Sequence, residues 1–141
     1  MDGKNFYTLK GYEQMNPPEL SPAMEDYLEM IYRHLKEEPY IRVNQLAARL
    51  NVKPSSASKM AAKLTENGYL SFEHYGLIRL TNKGVEMGAY LYWRQGLVNA
   101  FFCFINQSEN ELELTERVEH FIDKKTALNL AAFLEQHQAY E

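Results

Sequence analysis

Two sets of residues in this 141-residue chain have types and spacings that suit metal chemistry. Asp26 and Glu29 stand three apart, so on a helix their carboxylates share one face. Glu116, Glu119 and His120 stand at i, i+3 and i+4, again one helical face. Brought together, the two faces would offer four carboxylates and one imidazole. Like charges a few ångströms apart repel or must take up protons, so such a set is costly to hold without a cation. Hard oxygen donors with one nitrogen suit Mn²⁺ or Fe²⁺ better than a metal that prefers thiolates. The plain alternative is that these acids are solvated helix faces, because Glu-x-x-Glu-His by itself is a weak pattern.

The elements that must position these residues can be read from periodicity. Ser21-Pro22 is a helix start, a hydroxyl N-cap followed by proline at the first helical position. Met24, Tyr27, Leu28, Ile31, Tyr32 and Leu35 then recur at three and four residues, which predicts one apolar helical stripe ending at Glu37-Glu38-Pro39. A long helix is expected from Thr81-Asn82-Lys83-Gly84 to about Phe104, then a loop over 106–110, then helices over about 115–123 and 126–138. Residues 1–20 show no period and are expected to be a loose N-terminal extension closed by Pro17-Pro18.

Between the two acidic sets lies a different pattern. Val43, Leu46, Ala47 and Leu50 predict a short helix, Asn51 ends it, and Pro54-Ser55-Ser56 starts a second helix that stops at Asn67-Gly68. Residues 69–73 and 77–81 read as short strands with Tyr75-Gly76 in the turn. Helix, tight turn, helix and β-hairpin is the order of a winged helix-turn-helix. Within it Met60, Ala61 and Leu64 should face the core. Lys53, Pro54, Ser55, Ser56, Ser58, Lys59 and Lys63 are then left at the helix start and on its outer side. Lysines neutralise phosphates, short hydroxyl side chains let backbone approach a base edge, and the helix start adds amide donors. His74, Tyr75 and Arg79 on the hairpin would touch DNA as a wing does, or merely cover the core.

Charge agrees with that division. The net charge is −4, yet residues 42–83 hold seven basic and two acidic side chains, whereas residues 95–141 hold three basic and eight acidic. An anionic partner is expected for the first block and a cation for the second. The single Cys103 excludes an internal disulfide, the first residues lack a signal-peptide pattern, and the apolar run 97–105 is about half a membrane span. A soluble cytoplasmic protein without a membrane partner is expected. No Gly-rich phosphate loop and no nucleophile with its base occur, so an enzyme is not expected. The stripe Leu97, Val98, Ala100, Phe101, Phe102 and Phe104 reads as core or dimer seam.

The segments Ser-Pro-Ala-Met-Glu-Asp-Tyr-Leu-Glu-Met-Ile-Tyr (21–32), Val-Lys-Pro-Ser-Ser-Ala-Ser-Lys-Met (52–60) and Gly-Tyr-Leu-Ser-Phe (68–72) resemble the diphtheria toxin repressor family. The likeness runs from about Ser21 to Phe121 and is nearest to the manganese transport regulator branch. It implies a homodimer that binds an operator through its winged helices, with divalent metal at the junction favouring that binding and repressing metal uptake. It implies ligands at Asp26, Glu29, Glu116, Glu119 and His120, with manganese favoured because the iron branch carries Met at position 26 and Cys at position 116. The long helix should also carry a ligand His after Tyr92-Trp93-Arg94, but this chain has Gln95, a neutral and weaker donor. That departure leaves weaker binding, one ion instead of two, or loss of metal control open.

The fold expected is mainly α with a small β-hairpin. The segments are a 1–20 extension, a winged helix-turn-helix over 21–83, and a helical dimerisation and metal-binding region over 84–141. The function expected is a metal-responsive repressor with Mn²⁺ as cofactor, Fe²⁺ or another divalent cation being the alternative. A metal-independent winged-helix regulator is the second reading, and a small carboxylate-metal enzyme the remote one.

Overall fold

The computed structural model describes residues 7–73 and 76–138, so His74 and Tyr75 lie outside the described residues. Helix α1 (Leu9–Met15) is capped by Thr8, whose hydroxyl accepts from the Gly11 amide, and none of its residues is buried. A helical turn thus occurs within a segment that shows no apolar period, because the cap is local and needs no buried face. Helix α2 (Pro22–Leu35) starts as expected: Ser21 Oγ accepts from the Met24 amide at 3.2 Å and Pro22 needs no hydrogen-bond partner for its nitrogen. Its stripe Met24, Tyr27, Leu28 and Ile31 is buried.

Strand β1 (Ile41–Arg42) leads directly into helix α3 (Val43–Leu50). Asn51 follows at φ 55°, in the left-handed region, and turns the chain towards helix α4 (Pro54–Glu66). Gly68, at φ +86°, closes α4 and delivers the chain to strand β2 (Leu70–Glu73), which pairs with β3 (Leu77–Leu80). The antiparallel sheet has the order β1-β3-β2, with Ile78 opposite both Ile41 and Phe72. The expected hairpin is therefore a three-stranded sheet; β1 is two residues long, too short for alternation to reveal it. Leu28, Ile31, Ile41, Leu46, Ala57, Ala61, Leu64, Tyr69 and Ile78 form the core beneath α2, α3, α4 and the sheet.

Helix α5 (Asn82–Asn106) is capped by Thr81 and buries Gly84, Gly88, Leu91, Gln95 and Val98 at alternating steps of four and three, a stripe laid mainly against α2. Two of these positions admit no side chain. A Cβ at Gly84 would lie 2.0 Å from the Tyr69 carbonyl oxygen, and one at Gly88 would lie 2.7 Å from the Tyr32 Cβ. Helix α6 (Leu112–Val118) passes into a single 3-10 turn (Glu119–Phe121), and α7 (Lys124–Gln138) follows. The helix expected over 115–123 thus starts earlier and ends earlier. Asp123 stops it: its Oδ1 accepts from the Thr126 amide at 2.7 Å, starting α7. Among the described residues, no helix is long and apolar enough to cross a membrane.

Gly84→Ala should destabilise the fold by about 3 kcal/mol or more, because backbone and not a movable side chain fills the space. Gly96→Ala, with nothing within 4 Å of the added methyl, should instead gain about 0.5–1 kcal/mol from helix propensity. Urea denaturation of the two variants checks both signs.

Candidate metal centre

One face of α2 carries Glu25, Asp26, Glu29 and Arg33, α5 presents Arg94 and Gln95, and the end of α6 with its 3-10 turn presents Glu116, Glu119 and His120. Ligand atoms of Asp26, Glu116, Glu119 and His120 all lie within 4.8 Å of one another. Opposite donors around an ion with bonds of about 2.0–2.6 Å stand roughly 4–5 Å apart, so the spacing suits a hard divalent cation. The donor chemistry agrees, with three carboxylates, one imidazole and no thiolate; Cys103 lies elsewhere on α5, next to Asn99. A further observation supports the fit. Glu119 is 2% exposed and its Oε2 has no hydrogen-bond partner, a buried anionic oxygen that a cation would satisfy.

Electrostatics at this junction are strongly perturbed. Burial, then repulsion by Glu29 and Glu116, pushes the Glu119 carboxyl up to about 8. Burial likewise raises Glu29 to about 7, opposed by Arg33 and reinforced by Glu116. His120 moves up to about 10, because hydrogen bonds with Asp26 and then Glu25 hold its proton. Its Nε2 is 3.1 Å from Asp26 Oδ1 and its Nδ1 2.7 Å from Glu25 Oε1. Glu25 in turn accepts from Arg94 Nη2 at 2.9 Å, and Arg94 is 4% exposed.

Of the six expected ligands, four converge. Glu29 and Gln95 are adjacent but engaged otherwise. Arg33 Nη2 donates to Gln95 Oε1 and pairs with Glu29 at 3.4 Å, while Gln95 Nε2 donates to Glu116 Oε1 at 2.7 Å. The Gln95 carbonyl, the only atom of that side chain able to ligate, thus faces a guanidinium.

Sequence reasoning missed Glu25, Arg33 and Arg94. The signal for Arg94 was present: it follows Leu91 by three and precedes Val98 by four, so it occupies a buried position where a charge must be paired.

On α4, Ala57, Ala61 and Leu64 are buried and Met60 is half-buried, whereas Lys53, Pro54, Ser55, Ser56, Ser58, Lys59 and Lys63 are all exposed. Arg79 is exposed on β3 and pairs with Glu73 at 3.0 Å. Among the hairpin residues proposed for DNA contact, only Arg79 is therefore described.

Comparison with known proteins bears on this arrangement. Residues 19–78 match the family model "Iron dependent repressor, N-terminal DNA binding domain". The HTH-type transcriptional regulator MntR of Geobacillus kaustophilus (strain HTA426) is 40% identical over 103 residues, covering 72% of this chain and 73% of that protein. The chain belongs to the iron-dependent repressor family. Two solved members extend the match to the fold. The manganese regulator SloR superposes with a TM-score of 0.71 at 27% identity over 82% of this chain, and the metal-dependent transcriptional regulator MtsR with 0.71 at 26% over 82%. The chain spans about half the length of these two, 55% in each case. In this chain the matched DNA-binding segment precedes helical segments, and the acidic cluster lies where α2 meets them.

The raised acids set the pH response of the metal-free protein. Between about 4.5 and 8 the folded chain keeps a proton on Glu119 that the unfolded chain has released, so stability falls as pH rises through that window. Glu29 acts in the same sense up to about 7. The stability that protonated His120 supplies is complete below about 6.5 and is lost as pH rises through about 10. All three signs agree. In chelator, the melting temperature should fall from pH 5.5 to pH 8.5, and Glu119→Gln should flatten that fall; a flat profile for the native chain would mean the carboxylates are not buried together.

Proposed function

We propose that the chain is a metal-responsive transcriptional repressor that binds double-stranded operator DNA as a homodimer, in the cytoplasm, with Mn²⁺ as its effector and Fe²⁺ as the competing ion. The observation that carries this reading is the convergence of Asp26, from the winged helix, with Glu116, Glu119 and His120, from the helical region, within 4.8 Å. A divalent cation there would supply the positive charge that the four ligands lack. Asp26 would give one carboxylate oxygen, Glu116 and Glu119 two more, and His120 a ring nitrogen once its proton is released. Glu25 and Arg94 orient His120 from the other side. Because the ligands come from α2 and from α6, holding them together fixes α2 against α6 through the midpoint of α5.

The DNA-facing element is α4. Its first turn exposes Ser55 and Ser56 beside free backbone amides, and Lys59 and Lys63 follow on the outer side to meet phosphates. Lys53 and Pro54 set the helix start, Ser58 continues the polar face, and Arg79 reaches from the sheet. Two such α4 helices must arrive at half-sites about one helical turn apart, so the angle between protomers decides operator affinity. Exposed apolar residues on α5 and α7, among them Ile105, Leu128 and Phe133, supply the second copy's contact surface. This reading contains no catalytic step.

One observation favours a second reading. Arg33, Arg94 and protonated His120 already interleave with the carboxylates, so the junction is partly neutralised by the chain itself. A metal-independent regulator would bind its operator equally in chelator and in Mn²⁺.

Operator binding titrated with and without Mn²⁺ separates the two. A coupling of about 1–3 kcal/mol corresponds to up to ~150-fold tighter binding with metal. Glu119→Ala should abolish that gain and leave weak, salt-sensitive binding to any DNA; unchanged affinity and metal response would sink the ligand assignment. Lys63→Ala should weaken binding to all sequences alike and reduce the slope of log K against log salt by about 0.9.

A further inference from the structure

The two expected ligands that do not join the converging four share a single partner, and that partner is a cation of the chain. Arg33 lies one helical turn after Glu29, pairs with it at 3.4 Å, and donates to Gln95 Oε1. Gln95 passes the contact on, its Nε2 donating to Glu116 Oε1 at 2.7 Å. The amide orientation is fixed from both ends. Reversed, it would set its NH₂ against the guanidinium and its carbonyl against the carboxylate. The Arg33 guanidinium also lies over the Tyr92 ring of α5, 5.2 Å from its centroid, so an aromatic face helps to hold it in place.

We propose that Arg33 is a tethered counter-ion that occupies the Glu29, Gln95 and Glu116 corner of the centre, so that the chain takes one divalent ion, on Asp26, Glu116, Glu119 and His120, and Gln95 serves as a spacer and not a ligand. This rests on the metal-responsive reading above.

Charge counting supports a single ion. Five carboxylates meet here, those of Glu25, Asp26, Glu29, Glu116 and Glu119, against two arginines, so full ionisation, with His120 giving up its proton to serve as a ligand, leaves three negative charges uncompensated. One divalent cation reduces the excess to one; a second would reverse its sign beside the buried carboxylates of Glu29 and Glu119, where unbalanced charge is costly. Geometry agrees. A second cation beside Glu29 and Glu116 would have to displace a guanidinium bonded to both Glu29 and Gln95, and it would meet the amide through its NH₂ group. The chain thus carries a covalently attached charge at one corner and leaves the other corner to an exchangeable ion. That corner should remain closed when the ion leaves.

The test is Mn²⁺ stoichiometry by calorimetry, together with thermal melting in chelator at low salt. The full chain, Arg33→Met with Gln95→His, and Arg33→Lys with Gln95→His are compared. The native chain should bind one ion, the Met/His variant two, and the Lys/His variant one, because lysine keeps the tethered charge. Arg33→Met as a single change should melt several degrees below Arg33→Lys in chelator, with the gap narrowing in high salt. Two ions on the native chain, or one on a folded Met/His variant, would overturn the tethered-charge assignment. So would equal melting of Arg33→Met and Arg33→Lys, a comparison that decides even where the double variants fail to fold. No binding at all by the native chain would instead overturn the metal-responsive reading on which this one stands.

Discussion

The rest of the molecule is arranged around the repulsion between carboxylates that the chain itself forces together. Buried Glu29 on α2 and buried Glu119 in the 3-10 turn cannot lie close to each other and to Glu116 of α6, with all three ionised, without compensation. The fold supplies that compensation unevenly. Arg94 is buried against Glu25, His120 takes a proton between Glu25 and Asp26, and Arg33 spans Glu29 and Gln95. What is left over is a carboxylate oxygen on Glu119 with no partner. An exchangeable cation would be most strongly held where the compensation is least complete. Arg33 determines that this is the corner of Asp26, Glu119 and His120 and not the corner of Glu29.

That unevenness is useful only because the surrounding helices are stiff. Gly84 and Gly88 let α5 approach the Tyr69 carbonyl and the Tyr32 side chain more closely than any other residue would permit. The first two turns of α5 are therefore fixed to the winged helix. The apolar stripe of α4 fixes the same core from the opposite side, through Ala57, Ala61 and Leu64. Charge at the junction and the placement of α4 are thus connected through the packing of α2.

Much of this was legible in the sequence because it depends on local rules. Ser21-Pro22, Asn51, Gly68 and Thr81 each mark an element boundary through a cap or a left-handed turn, and the α2 stripe follows from spacing alone. Asp26, Glu116, Glu119 and His120 were identifiable as two helical faces, although only the fold places them together. What was not legible depends on contacts across the chain. β1 exists because Ile41 pairs with Ile78, nearly forty residues away, and two residues carry no period of their own. Arg33 reads as an ordinary solvated helix residue until α5 delivers Gln95 and Tyr92 beside it. The end of α6 was misplaced because the decisive feature, Asp123 capping α7, reads as one more acid in an acidic stretch.

The length of α5 has a mechanical consequence. Its 25 residues make a rod of about 37 Å, clamped at its first two turns and touched by the acidic junction near Gln95, a little past its midpoint. The eleven residues beyond Gln95 extend about 16 Å, so a swing of about 10° there carries the tip roughly 3 Å. In the two-fold pair proposed above the displacement would count once for each copy. Hydrogen bonds to base edges tolerate only a few tenths of an ångström. On the repressor reading proposed above, a small change of angle at the junction would be magnified along α5 into a displacement larger than those hydrogen bonds tolerate.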